Sequence, residues 1–335
     1  MTTLCGKDDI VNLTVPAAHF ELNKRILEAG KHVYCEKPLV ETKEEADILI
    51  KMAKERNLLI SSAPETFLGA GIQTCRKLID ENAIGKIVGF TINFVSPGNE
   101  YWHANPLFYY QKGGGPMRDM GPYYLAAMIS LFGPVSEVAC FDVSPRPTRT
   151  VHGVDYVPEV PTHYNGIVRM KNGAIGSVNM SWEVWNSVLP RIEIYGTEGM
   201  IVGPDPNSFC GPVKIIRSVD ILEQVYKVEG PKRMFNLIGP PKQKLIEEVK
   251  AVYPEIANMR GIGIQEMAKA IKENRPNRAS PELARHIVDI LNCMERSSEE
   301  SVICKLETTC ERPEPFNAIA EGCWEGGGEG RPAYL

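Results

Sequence analysis

A lysine suited to acid–base chemistry follows a short predicted strand near the start of the chain. Strand patterns over residues 10–15 and 32–35, with a helix pattern between them, form one predicted βαβ unit. The unit ends in Glu36-Lys37-Pro38. In open parallel sheets, ligands bind at the carboxyl ends of the strands. A lysine there can accept a hydroxyl proton if its surroundings lower its pKa toward neutrality. The alternative is that Glu36 and Lys37 form a solvated strand end.

A second group of polar side chains follows a glycine block at residues 113–115. Pro116 is suited to the first turn of a helix. Asp119 and Tyr123 are spaced i and i+4, so they would share one face of that helix. The glycines would let the backbone approach a ligand closely. The alternative for Tyr123 is a place in the hydrophobic core beside its neighbours.

Several short sequence motifs resemble those of the glucose-fructose oxidoreductase/inositol dehydrogenase family, often called Gfo/Idh/MocA. The motifs are Thr14-Val15-Pro16-Ala17-Ala18-His19, Ala29-Gly30-Lys31-His32-Val33, Glu36-Lys37-Pro38, Ile84-Gly85-Lys86-Ile87 and Arg260-Gly261-Ile262-Gly263. The stretch from Gly113 to Tyr124 looks like the family's Gly-Gly-x-x-x-x-Asp-x-Gly-x-His block, with Tyr123 at the histidine position. The resemblance runs from about residue 9 to about residue 312.

The resemblance implies an NAD- or NADP-dependent oxidoreductase that acts on a secondary hydroxyl of a sugar, cyclitol or related polyol. It implies that Lys37 is the acid–base group, with a pKa lowered by the cationic nicotinamide ring beside it. It also implies that Asp119 hydrogen-bonds the substrate hydroxyl and that the Lys37–Pro38 peptide bond is cis. Tyr123 would replace a histidine that usually assists proton transfer. Because an ordinary tyrosine pKa is about 10, Tyr123 is expected to orient the hydroxyl.

The cofactor is expected to meet the ends of the first two predicted strands. The residues predicted to bind it are Thr14, Pro16, His19, Glu36, Lys37 and Trp102. His103, in a loop where the family places pocket residues, is predicted to bind substrate together with Asp119 and Tyr123. A surface position is the alternative for His103, and a capping or packing role is the alternative for His19.

The family opens with a strand, a Gly-x-Gly-x-x-Gly turn and a helix, and no such pattern precedes Asp8. The missing portion would be about 60–70 residues, roughly two strand-plus-helix units. We therefore expect either an incomplete chain or a reduced family member, with no tight dinucleotide binding and an exposed strand edge at residues 10–15. The choice between NAD and NADP stays open. Gly69-Ala70-Gly71-Ile72-Gln73-Thr74 lacks a third glycine and is interpreted as the start of a helix.

The predicted fold class is α/β plus α+β. With 335 residues, of which 43% are hydrophobic, the chain is long enough for two domains. We predict a partial Rossmann (doubly wound) domain over residues 1–64 and a domain with a large, mostly antiparallel sheet over 65–315. A tail follows over 316–335. The clearest hairpin turns at Lys171-Asn172-Gly173, because Asn-Gly suits a tight turn.

Composition argues against several classes of partner. A net charge of −5 gives no support for binding of nucleic acid, which needs a clustered basic face. The nine dispersed cysteines form no Cys-x-x-Cys pair and no apolar leader opens the chain, so we predict a cytoplasmic protein without a membrane span or metal site. We expect a homo-oligomer formed through the C-terminal sheet. An alternative function is ligand sensing by a non-catalytic or truncated family member.

Overall fold

The computed structural model describes residues 9–239 and 242–323, and its first unit is a parallel sheet flanked by helices. The elements of this unit are β1 (Asp9–Asn12), α1 (His19–Glu28), β2 (His32–Cys35), α2 (Lys43–Glu55) and β3 (Ile60–Ser62). Within the described residues the sheet has three parallel strands in the order β1-β2-β3. Among residues 9–239 and 242–323, β1 and β3 are the two edge strands of this sheet. The predicted βαβ unit is therefore confirmed.

Local sequence explains the boundaries of these elements. The Thr42 side chain accepts a hydrogen bond from the Glu45 amide, and the Glu45 carboxylate accepts one from the Thr42 amide, so a capping box starts α2. β1 is shorter than the predicted strand over 10–15. The reason is that Asn12 Oδ1 accepts hydrogen bonds from the amide and the hydroxyl of Thr14, which turns the chain out of the sheet.

The second unit is built on a much larger sheet. Its strands are β4 (Ile87–Val95), β5 (Val135–Val143), β8 (His163–Met170), β9 (Ile175–Ser181), β10 (Ile192–Gly196), β11 (Gly199–Gly203), β12 (Val213–Arg217), β13 (Glu247–Val249) and β14 (Cys304–Lys305), while β6 (Arg149–Val151) and β7 (Val154–Tyr156) form a separate ribbon. Within the described residues the order is β13-β12-β11-β10-β4-β9-β8-β5-β14, and β4 with β9 is the parallel pair. Gly173 has φ of +91° in the turn between β8 and β9, so the predicted hairpin is confirmed.

Helices cover one face of the large sheet. The remaining helices are α3 (Ala70–Asp80), α4 (Pro116–Phe132), α5 (Ser218–Tyr226), α6 (Lys232–Ile238), α7 (Ile262–Glu273) and α8 (Pro281–Glu300). α4 is apolar on all sides after its first turn and lies in the main core, together with the inward side chains of the sheet. The predicted fold class is confirmed. Each helix in the described ranges is too short or too polar to cross a lipid bilayer.

The stretch at residues 69–74 forms the N-cap and first residues of α3, as interpreted from the sequence. α3 begins at Ala70, directly after Gly69. A Cβ at Gly69 would lie 2.3 Å from the carbonyl oxygen of Phe209, so this glycine permits close packing of two backbones. The predicted tail lies outside the described residues from position 324 onward.

Candidate active site

Lys37 lies two residues after the end of β2, and its ammonium group contacts the first turn of α4. Nζ donates hydrogen bonds to the main-chain oxygen of Asp119 at 2.6 Å and to its Oδ1 at 2.8 Å. The two side chains are 14% and 21% exposed. The fold therefore joins two predicted site residues, from the first sheet and from α4, in an ion pair that is largely withdrawn from water.

His19 supports the turn after Lys37 from behind. The Lys37–Pro38 peptide bond is cis, as the resemblance suggested. The ring of His19 is fully buried, with Nδ1 2.6 Å from the carbonyl oxygen of Pro38 and Nε2 2.9 Å from that of Thr14. Both ring nitrogens thus face protein carbonyls, and the ring joins the chain segments that follow β1 and β2. This geometry supports a packing role for His19, and its contact with the cofactor stays a prediction.

Tyr123 lies one turn after Asp119 on α4, as the i and i+4 spacing predicts. The ammonium of Lys37 is 5.2 Å from the centre of its ring. Burial raises the pKa of the Tyr123 phenol, and the Lys37 and Arg260 cations only partly oppose this effect. The phenol is therefore protonated at neutral pH and able to donate a hydrogen bond. This state suits a residue that orients a substrate hydroxyl better than one that accepts its proton.

The surroundings of Lys37 favour its charged form. Burial on its own lowers the pKa of Lys37, but the charge and hydrogen bond of Asp119, with smaller contributions from Tyr123 and Glu36, outweigh it. The net pKa is raised above the ordinary value of lysine. This direction is opposite to the lowered pKa expected of a general base, an expectation that depended on a cationic ring beside the amine. Without a bound cofactor, Lys37 is therefore protonated at neutral pH and can donate a proton.

Tyr109 is a neighbour of this group that the sequence did not single out. Burial, followed by the Asp119 charge, raises the pKa of Tyr109. Its carbonyl oxygen accepts a hydrogen bond from the Gly115 amide at 2.8 Å, and a Cβ at Gly114 would lie 2.2 Å from the same oxygen. The close backbone approach predicted for the glycine block is thus made to Tyr109. No local pattern marks Tyr109, because its place depends on this chain crossing.

Arg260 is the second residue that sequence reasoning left without a role. It precedes α7, and its guanidinium carbon lies 5.7 Å from the ring centre of Tyr123 and 5.6 Å from that of Phe209. The next amide, of Gly261, donates to the buried carboxylate of Glu65. In the sequence, Arg260 was noted only as part of the family-like motif Arg260-Gly261-Ile262-Gly263. Its proximity to Tyr123 arises from tertiary packing.

The residues at the ends of β1 and β2 fit the nicotinamide end of a dinucleotide. Leu13 and Val15 are 61% and 68% exposed, so apolar surface lies open beside Thr14 and Pro16. Glu36 Oε2 accepts a hydrogen bond from the Lys37 amide at 2.8 Å and adds a polar edge. Flat ligands bind such mixtures of apolar surface and few polar groups. Residues 9–239 and 242–323 contain no glycine turn and helix beside β1 for a pyrophosphate, so the fit covers this end alone.

The aromatic loop before α4 is only partly joined to the site. Trp102 is 69% exposed, its Nε1 donates to Asn99 Oδ1 at 3.3 Å, and no contact among the described residues connects it to Lys37. The ring of His103 meets the ring of Tyr109 edge-on, with 5.2 Å between their centres. The structure therefore brings together Lys37, Asp119 and Tyr123. The ring of His103 contacts Tyr109, and Trp102 does not contact Lys37 among the described residues.

Known proteins resemble both units. Residues 7–63 match the model of an oxidoreductase family with an NAD-binding Rossmann fold, and residues 72–202 match the model of the GFO/IDH/MocA C-terminal domain. The chain is 29% identical over 221 residues to levoglucosan dehydrogenase of Pseudarthrobacter phenanthrenivorans, which covers 58% of this chain and 54% of the relative. It is 28% identical over 191 residues to D-xylose dehydrogenase of Paenarthrobacter nicotinovorans, covering 53% of this chain and 49% of the relative.

The matched part of the chain spans about half the length of these two relatives. A solved structure of levoglucosan dehydrogenase in complex with NADH and levoglucosan superposes with a TM-score of 0.72 at 20% identity, over 90% of this chain and 81% of that one. This likeness shows a shared fold. The two matched models, together with the Lys37 and Asp119 motifs now seen in contact, show that the chain belongs to the Gfo/Idh/MocA family.

Proposed function

We propose that the chain acts in an NAD- or NADP-dependent oxidoreductase that converts a secondary hydroxyl of a sugar, cyclitol or related polyol to a carbonyl group in the cytoplasm. The observation that supports this most is the Lys37–Asp119 ion pair against the ring of Tyr123 at the carboxyl end of β2. The named activities of the relatives, levoglucosan dehydrogenase and D-xylose dehydrogenase, support the class of substrate.

In this proposal the substrate hydroxyl lies between the Lys37 amine and the Tyr123 phenol. In oxidation, the neutral amine of Lys37 accepts the hydroxyl proton. The hydrogen on the same carbon leaves as hydride, with both electrons of its C–H bond. Bound nicotinamide supplies the hydride acceptor. Asp119 stabilises the ammonium that forms, at an Nζ–Oδ1 distance of 2.8 Å. In the reverse direction the ammonium donates its proton to the carbonyl oxygen, and Tyr123 donates a second hydrogen bond.

The raised pKa of Lys37 favours carbonyl reduction at neutral pH in this scheme. Oxidation needs the neutral amine, so its rate should rise as the pH increases toward the pKa of Lys37. Thr14, Pro16 and Glu36 would contact the nicotinamide end of the cofactor. These assignments rest on the exposed positions of Thr14 and Pro16 and the half-buried position of Glu36 next to Lys37.

We also propose a homo-oligomer formed through the large sheet. The sheet face opposite the helices exposes apolar side chains on three adjacent strands, namely Phe141 on β5 (74%), Ile167 on β8 (56%) and Ile175 on β9 (50%). Such a face is typical of an interaction surface.

The test is turnover of Lys37→Met in a chain extended at its N-terminus by the strand, glycine turn and helix that would hold the pyrophosphate. The variant should lower kcat/KM by about 10²–10⁴, the usual contribution of a general acid–base group. Reduction of nicotinamide is followed by absorbance with levoglucosan, D-xylose and inositols. Lys51→Met is the matched control, because Lys51 is 77% exposed on α2 and should leave turnover unchanged. Turnover of Lys37→Met within about threefold of the parent would remove Lys37 from the mechanism.

A further inference from the structure

We propose that the substrate is an acidic sugar, and that Arg260 binds its carboxylate while Lys37 contacts the reacting hydroxyl. This inference rests on the proposed function and names the substrate class of the same site. It would make Arg260 the residue that determines specificity. Its basis is a guanidinium group that lies over the ring of Tyr123 and has no acidic partner among residues 9–239 and 242–323.

Arg260 lies close enough to Lys37 for one sugar to meet both. The Lys37 ammonium and the Arg260 guanidinium carbon lie 5.2 and 5.7 Å from the same ring centre, that of Tyr123. The two cations are therefore no more than about 11 Å apart. A hexuronate that presents a ring hydroxyl to Lys37 carries its carboxylate a few bonds from that hydroxyl, so one sugar could meet both cations.

The guanidinium of Arg260 has N–H donors that a ligand could use. A guanidinium has five N–H donors, and it binds carboxylates in a bidentate manner. In the described part of the chain, Arg260 contacts the rings of Tyr123 and Phe209 but forms no ion pair. It is also exposed, so a ligand can reach it. By contrast, Arg191 packs over Phe94 at 5.4 Å and does pair with a carboxylate, that of Asp205 at 3.6 Å.

The nearby carboxylates are engaged elsewhere. Asp119 pairs with Lys37. The Glu36 carboxylate accepts a hydrogen bond from the amide of Lys37. Glu65 is buried, with Oε2 accepting from the phenol of Tyr34 at 3.0 Å and Oε1 from the Gly261 amide at 3.3 Å. This last bond fixes the backbone beside Arg260, so the guanidinium is presented from a rigid support at the start of α7.

The experiment compares binding of D-glucuronate and D-glucose, which share a ring and differ at one carboxylate. Calorimetry with the 335-residue chain, with and without NADH, gives the two affinities. A charge-assisted hydrogen-bond pair predicts a preference for glucuronate of roughly ten- to hundredfold. Arg260→Gln should abolish the preference, Arg260→Lys should retain part of it, and added salt should weaken it. Arg191→Gln is the matched control and should keep it.

The outcomes separate this inference from the proposed function. Equal binding of both sugars, binding of neither, or a preference that survives in Arg260→Gln overturns the assignment of Arg260. A lowered melting temperature in Arg260→Gln with an unchanged preference would show that Arg260 only packs α7 on α4. If a neutral polyol is oxidised while Arg260→Gln keeps the preference for glucuronate, the proposed dehydrogenase function is supported and the role of Arg260 is wrong. If Arg260 determines glucuronate binding but no sugar is turned over, the proposed function fails instead.

Discussion

His286 should make the free energy of unfolding fall in mild acid. It lies fully buried on α8, where Nε2 accepts a hydrogen bond from the Val135 amide at 3.0 Å. Nδ1 is 2.8 Å from the hydroxyl of Thr308, which itself donates to Asp289. One accepting and one donating nitrogen is the pattern of a neutral imidazole. Burial lowers the pKa of His286 from 6.5 to about 4.

The sign and size of the effect follow from proton linkage. Above pH 6.5 both the folded and unfolded chains hold a neutral His286, and the residue adds no pH dependence. As the pH falls below 6.5, the unfolded chain binds a proton that the folded chain does not, so the folded state loses stability until the pH reaches about 4. The full gap is worth about 3 kcal/mol, of which about 2.5 kcal/mol is lost by pH 4.5.

Urea unfolding between pH 7 and pH 4.5 measures this loss. Carboxylates also titrate in this range, so the informative quantity is the difference between the parent and His286→Gln, in which other groups cancel. The parent should lose about 2.5 kcal/mol more than His286→Gln over the interval. His152→Gln, at an exposed position, should follow the parent. Parallel curves for the parent and His286→Gln would refute the reasoning.

Three further changes test the site and its supports. Tyr123→Phe should cost about 0.5–1.5 kcal/mol of transition-state stabilisation, up to about tenfold in kcat/KM, whereas unchanged kinetics with a lowered melting temperature would indicate a core tyrosine. Asp119→Asn should lower the pKa of Lys37 and move the alkaline rise of oxidation to lower pH; an unmoved pH–rate profile would contradict this. Arg149 is 1% exposed and pairs with two carboxylates, so Arg149→Met should lower the free energy of unfolding by about 3–5 kcal/mol in urea, and a loss below about 1 kcal/mol would contradict it.

The sequence predicted best where neighbouring residues decide the structure. The turn at Gly173 and the helix that begins at Pro116 depend on contacts within a few residues, and both are present. β1 was predicted too long because apolar residues continue past Asn12. There the exposed Leu13 and Val15 follow a side-chain turn that hydrophobic patterning does not detect.

The site was predicted in its parts and missed in its surroundings. Lys37 and Asp119 were each marked by a motif, but their contact depends on how α4 packs beside the first sheet. The raised pKa of Lys37 follows from that contact and could not be read from spacing. Burial and the Asp119 charge raise the pKa of Tyr109, and Arg260 contacts the ring of Tyr123 from the residue before Gly261, through tertiary packing that no short sequence motif encodes.

Chemical rescue of Lys37→Ala tests most directly the claim that Lys37 transfers the substrate proton. The variant removes the amine and leaves space beside Asp119 for a small primary amine. The account predicts that turnover with nicotinamide and a responsive polyol is lost, and that it returns in proportion to the concentration of unprotonated methylamine or ethylamine. Turnover by Lys37→Ala within about threefold of the parent, without any added amine, would contradict it.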